Sequence, residues 1–245
     1  MDTLVRGTGR PVTVFAHGFG GGIPDTRPLA SGVPGTRVFY TAAAHDGEPV
    51  PGFGYPLLAS ELRTVADRHH ARQALGVSMG AGALCRLLAQ TPDRFDAVVF
   101  FLPPVLDSPR PRPGTVAGLD AAIRTGDSEA ITAAVVAELP GGIAGTPAGR
   151  AYTAARPARL RQPAVRDAGA ALVGGVAVTD ADLLRAVTAR ALVLGCRNDP
   201  AHPAEVAERL AGLLPDARLH LYDEPGVVWT HRTDLRHRIS RFLSG

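Results

Sequence analysis

Arg72-Gln-Ala-Leu-Gly-Val-Ser-Met-Gly-Ala-Gly82 decides how this 245-residue chain is read. Within it, Gly76-Val77-Ser78-Met79-Gly80 fits G-x-S-x-G, in which a serine occupies a sharp turn from a strand into a helix. The glycines have a physical reason. A serine held in that turn takes strained backbone angles, and its neighbours two residues away pass close to other backbone, where a Cβ would intrude. The flanks supply the required context. Ala74-Leu75 and Val77 are apolar and suit a buried strand, and Met79–Gln90 carries Leu84, Leu87 and Leu88 at helical spacing. Thr91-Pro92 ends that helix, because proline cannot continue it.

A nucleophilic serine needs an oxyanion hole, a base and an acid that orients the base. Upstream, the β-branched run Pro11–Ala16 leads straight into His17-Gly18-Phe19-Gly20-Gly21-Gly22. A His-Gly loop in that position supplies the second oxyanion donor beside the residue after the serine. The donors are therefore expected to be the backbone N–H groups of Phe19 and Met79. His17, Gly18, Val77 and Trp229 are expected to line the substrate site, His17 shaping the loop rather than serving as a general base.

Downstream, Ala191-Leu-Val-Leu194 reads as a strand that ends in Gly195-Cys-Arg-Asn-Asp199-Pro-Ala-His-Pro203. Asp199 just past the carboxyl end of a strand is the expected acid, because open α/β sheets gather their chemistry on that edge. Asp107, after the strand 97–102, is its competitor. The expected base is His231, in the loop between the last strand, 217–222, and a final helix over 232–243. His45 and His202 also lie in loops and remain alternatives. His220 falls inside a strand, His237 on a polar helix face, and His69 and His70 end a helix.

Taken in chain order, Ser78, Asp199 and His231 run nucleophile, acid, base. With the His17-Gly18 loop, they make the chain resemble the α/β-hydrolase superfamily over nearly its whole length, and in particular small actinobacterial esterase-like and lactonase-like members. The sequence departs from the usual pattern in three places. Val77 precedes the serine where a polar residue is common. Ala43-Ala44-His45-Asp46-Gly47 lacks the usual arginine, and Trp229-Thr230-His231 replaces a Gly-His pair.

The resemblance implies a mostly parallel central sheet flanked by helices. Strands are expected near 3–6, 12–16, 37–40, 72–77, 97–102, 190–195 and 217–222, with helices near 55–69, 79–90, 203–214 and 232–243. The amino-terminal edge should be trimmed relative to a full eight-stranded sheet. Residues 1–106 and 189–245 would form the core and 107–188 a helical cap, with helices over Asp127–Leu139 and Ala158–Leu172. The implied activity is hydrolysis of a small-molecule ester, thioester or lactone through an acyl-enzyme on Ser78. Alternatives on the same fold are an acyltransferase, a cofactor-free lyase or cyclase, and a non-catalytic ligand-binding protein.

Composition narrows the partners. All 26 basic residues are arginine, and the formal charge of +3 is too small and dispersed to indicate nucleic acid. The arginines of the cap region, among them Arg110, Arg112, Arg124, Arg156, Arg159 and Arg166, read as a solvated surface, with recognition of an anionic acyl group as the alternative. Two cysteines, both expected to be buried, and an amino terminus without an apolar leader suit a cytoplasmic protein. No membrane span, metal or cofactor is expected, and the partner is a small acyl substrate. Oligomeric state is not legible.

Overall fold

The computed structural model describes residues 2–109 and 114–245, so Arg110 and Arg112 lie outside the described residues. Seven strands form one sheet: β1 (Thr3–Arg6), β2 (Val12–Ala16), β3 (Thr36–Tyr40), β4 (Gln73–Val77), β5 (Ala97–Phe101), β6 (Arg190–Cys196) and β7 (Ala217–Tyr222). Their spatial order is β1-β3-β2-β4-β5-β6-β7. β1 pairs antiparallel with β3, and every other pair is parallel.

The sequence of β5, Ala-Val-Val-Phe-Phe, explains its interior place between β4 and β6. It is apolar on both faces and wholly buried, as a strand covered by helices on two sides must be. Because side chains alternate, Val98 and Phe100 enter one core while Val99 and Phe101 enter the other. The first core takes Leu58 and Leu62 from α2 (Tyr55–Arg68), Leu84, Leu87 and Leu88 from α3 (Met79–Gln90), and Leu210 from α8 (Ala204–Leu213). The second takes Leu235, Ile239, Phe242 and Leu243 from α10 (Arg232–Leu243), residues spaced along one helical face. Two four-residue helices, α1 (Ile23–Thr26) and α9 (Val227–Thr230), sit in loops.

Between β5 and β6, among the described residues, come four α-helices: α4 (Gly114–Thr125), α5 (Ser128–Ala137), α6 (Pro147–Leu160) and α7 (Pro163–Leu172). They share a small core of Ile123, Ile131, Val135, Leu160 and Val165, against which Phe19 packs. Asp127 caps α5 by accepting the N–H groups of Glu129 and Ala130 at 3.0 Å each. The single helix expected over 158–172 is instead two. Pro157 lies inside α6, and the break falls after Leu160, where Pro163 opens α7 with its fixed φ. α4 and the first turns of α6 were not anticipated. In α6 only Gly149, Pro157 and Leu160 are buried, too few to show a helical period.

Candidate active site

The elbow takes its shape from its neighbours. Ser78 has φ 49° and ψ −110°, between β4 and α3. Such a conformation costs about 1–3 kcal/mol for a non-glycine residue and persists only when its surroundings fix it. Here the Ser78 N–H donates to Phe101 O of β5 at 2.9 Å, and Ser78 O accepts from Gly82 N–H at 3.0 Å. A Cβ on Gly76 would stand 2.4 Å from Gly80 O, and one on Gly80 would stand 2.5 Å from Ala16 O. Both glycines of the motif are thus required by close backbone approach.

The side chain that meets the serine is His202. Its Nε2 lies 2.8 Å from Ser78 Oγ, and its Nδ1 lies 2.9 Å from Asp199 Oδ2. Asp199 and His202 belong to one turn between β6 and α8. Asp199 Oδ1 accepts the N–H groups of Ala201 (2.8 Å) and His202 (3.2 Å), which fixes the turn and leaves Oδ2 for the imidazole. Burial disfavours the Asp199 carboxylate, but the His202 hydrogen bond, its charge and the two backbone donors outweigh this and hold the pKa below the usual value.

His231 is therefore not the histidine at Ser78. It is exposed at the start of α10, with Nδ1 2.9 Å from Thr230 Oγ1 and its ring against Tyr222. Gly226, with φ 81°, opens α9, and His231 lies between α9 and α10. The sequence did contain a signal for His202: an aspartate and a histidine three apart in a strand-to-helix turn can bond to each other without any long-range folding. Asp107, the competing acid, is held by both guanidinium nitrogens of Arg209, which lower its pKa.

The His17-Gly18-Phe19 loop abuts the serine, since a Cβ on Gly18 would lie 3.4 Å from Ser78 Cβ. His17 was expected to line the substrate site. It is instead 1% exposed, with Nδ1 2.8 Å from Gly18 O and Nε2 accepting the Ala42 N–H at 2.9 Å. Its role is to shape the loop. Burial, reinforced by nearby His45, pushes its pKa down to about 3, so the ring is neutral. Met79 is the first residue of α3, where leading N–H groups lack intrahelical acceptors.

Val77 is half-buried against the second core, close to Gly18. Trp229 is half-buried and meets Tyr152 of α6 edge to face at 5.4 Å, so it sits where the final loop touches the insertion. A cavity of about 170 Å³ is lined by Phe19 together with Asp120, Ile123, Arg124, Arg166, Gly169, Ala170 and Val173. Both cysteines, Cys85 and Cys196, are buried free thiols. Among the described residues no cluster of three or more His, Cys, Asp or Glu could hold a metal ion, and no helix is long and apolar enough to cross a membrane.

No family model matches the chain, and no curated protein matches it in sequence. Solved structures do match in shape. An esterase from Exiguobacterium antarcticum superposes with a TM-score of 0.81 at 16% identity, covering 99% of this chain and 95% of that one. The 2-hydroxy-6-oxo-6-phenylhexa-2,4-dienoate hydrolase from Rhodococcus sp. strain RHA1 gives 0.81 at 18%, covering 99% and 94%. A serine hydrolase from the polyaromatic-hydrocarbon-degrading bacterium Cycloclasticus zankles gives 0.79 at 20%, covering 97% and 91%. With the strand order, the strained serine turn and this likeness together, the chain has the fold of the α/β-hydrolase superfamily.

Proposed function

We propose that the protein is a serine hydrolase of small-molecule carboxylic esters, thioesters or lactones. The observation that carries the reading is the continuous relay Asp199–His202–Ser78, at 2.9 and 2.8 Å. His202 Nε2 takes the Ser78 proton as Oγ attacks the carbonyl carbon. The oxyanion is held by the N–H groups of Phe19 and Met79. Collapse expels the alcohol or thiol, which takes the proton from His202. Water, deprotonated by His202, then attacks the acyl-enzyme and releases the acid. Asp199 keeps the imidazole in the tautomer that presents Nε2 to the serine.

The insertion between β5 and β6 acts as the cap in this reading, and the cavity beside Phe19 takes the acyl group. At about 170 Å³ it matches a small acyl group, since a cavity of roughly 150 Å³ holds benzene. The esterases and hydrolases of like fold support the class of reaction. Two buried free thiols suit a reducing compartment such as the cytoplasm.

The test is covalent. A fluorophosphonate should label Ser78 in the native protein and fail to label Ser78→Ala or His202→Ala. Full ester turnover by Ser78→Ala would exclude the acyl-enzyme.

A further inference from the structure

Three consecutive peptide units of the donor loop are each fixed by a named partner. In a trans peptide the C=O and N–H point in opposite directions, so holding one end aims the other. Gly18 O accepts from His17 Nδ1–H at 2.8 Å and from Gly21 N–H at 3.0 Å, which aims the Phe19 N–H out of the opposite side of the loop. The next unit is held at both ends. Its carbonyl, Phe19 O, accepts from Arg156 Nη1 at 3.2 Å, and its N–H, on Gly20, donates to His45 Nε2 at 3.0 Å. The third carbonyl, Gly20 O, accepts from Arg159 Nε at 3.0 Å.

The clamping side chains are themselves oriented. His45 Nδ1 lies 3.0 Å from Ala43 O, and donation there leaves Nε2 as an acceptor for Gly20. The His45 ring stands edge-on to both His17 and Phe19. Arg156 lies near Glu138 and over the Tyr152 ring, and Arg159 pairs with Asp25. Two elements far apart in sequence therefore grip one peptide: the loop after β3 through His45, and α6 of the insertion through Arg156. Packing agrees with the hydrogen bonds. A Cβ on Gly20 would fall 2.5 Å from Leu160 Cδ2, so α6 closes directly onto the loop.

We infer that His45 and Arg156 are positioning residues for the oxyanion donor at Phe19, clamping the Phe19–Gly20 peptide from opposite ends, so that docking of the insertion and assembly of the oxyanion hole are one event. The inference rests on the hydrolase reading above. Neither residue need touch the substrate. Removing an oxyanion donor outright costs about 10²–10³-fold in kcat, and loosening its support should cost less.

The test compares His45→Phe, His45→Gln, Arg156→Met and the double variant His45→Phe/Arg156→Met. Each is read by the single-turnover acylation rate on an ester, by affinity for a boronic acid that forms a tetrahedral adduct, and by thermal midpoint. His45→Phe and Arg156→Met should each slow acylation about 10- to 100-fold and weaken the boronic acid in parallel, with ester affinity within about threefold. His45→Gln, whose amide oxygen can accept the Gly20 N–H, should recover most of the rate. The double variant should lose less than the product of the singles, as coupled supports of one group do. If Arg156→Met and His45→Gln remain folded and Arg156→Met acylates at the native rate, the clamp is wrong. The same holds if His45→Gln is as slow as His45→Phe. Loss of the underlying hydrolase reading shows separately, as fluorophosphonate labelling that does not depend on Ser78.

Discussion

His202 Nε2 stands 2.8 Å from Ser78 Oγ across 124 positions of sequence, while His202 lies only three positions from Asp199, whose Oδ2 is 2.9 Å from its Nδ1. Asp199 and His202 thus belong to one turn before α8, which brings both side chains to Ser78. His202→Ala should lower kcat/KM by about 10⁴-fold or more, as loss of a general base does in serine hydrolases. His231→Ala should stay within about threefold of the native rate, because that ring is exposed and bonded only to its neighbourhood. Steady-state kinetics of the two variants decides the assignment. A larger loss in His231→Ala would return the base to the final loop.

Asp107→Asn separates the two candidate acids. Asp107 is engaged by Arg209 of α8 in a partly exposed ion pair worth about 0–1 kcal/mol. The variant should retain native turnover and a nearly unchanged thermal midpoint. Asp199→Asn should lose about 10⁴-fold in kcat, since the amide favours the wrong imidazole tautomer. Equal losses in both would place Asp107 in the relay.

The sheet and the serine turn were legible because their signals are local and strong. The all-apolar β5, the β-branched β2 and the leucine spacing of α3 each state their own structure, and G-x-S-x-G needs only the backbone contacts at Gly76 and Gly80. The place of Asp199 was legible for the same reason, just past β6. The histidine that meets Ser78 was not. Histidines 202 and 231 both follow a strand, and although the Asp199–His202 spacing carries a local signal, which of the two loops reaches Ser78 depends on tertiary packing. The insertion was half legible: α5 announces itself through Asp127 and its apolar run, whereas α6 buries too little to show a period. His45 and Arg156 were invisible as a pair, because what joins them is a single peptide unit contributed by a third segment.

Gly80→Ala tests the elbow. The new Cβ would meet Ala16 O at 2.5 Å, a backbone atom of β2 that cannot swing aside. Overpacking of this kind costs about 1–3 kcal/mol or more. The variant should show a lower denaturation midpoint and reduced fluorophosphonate labelling. A Gly212→Ala control, with open space around its Cβ, should be neutral or slightly stabilising. Native stability in Gly80→Ala would mean that the turn is looser than the close approach implies.

Ala170→Phe tests the cavity. Ala170 lies on the exposed rim of the cavity lined by Phe19, on α7, so a ring there fills volume without displacing core. Acetate esters should be cleaved at close to the native rate, while esters of bulkier branched or aromatic acids should lose about tenfold or more, the scale on which a filled apolar pocket discriminates. Parallel loss across the whole ester series would mean that the acyl group binds elsewhere.

His17 should make the fold sensitive to acid. Folding lowers its pKa from 6.5 to about 3, because burial disfavours the imidazolium. Below pH 6.5 the unfolded chain binds a proton that the folded chain refuses, so stability is complete above that pH and falls as the pH drops toward 3. Between pH 6.5 and 4.5 this one group should remove about 2 kcal/mol, at up to about 1.4 kcal/mol per pH unit. His17→Gln removes the titration while its amide can still serve Gly18 O and Ala42 N–H. The variant should be less stable than the native protein at pH 7.5 but lose stability less steeply as the pH falls. Urea unfolding across that range measures both slopes, and parallel slopes would show that the His17 imidazole titrates alike in the folded and unfolded chains.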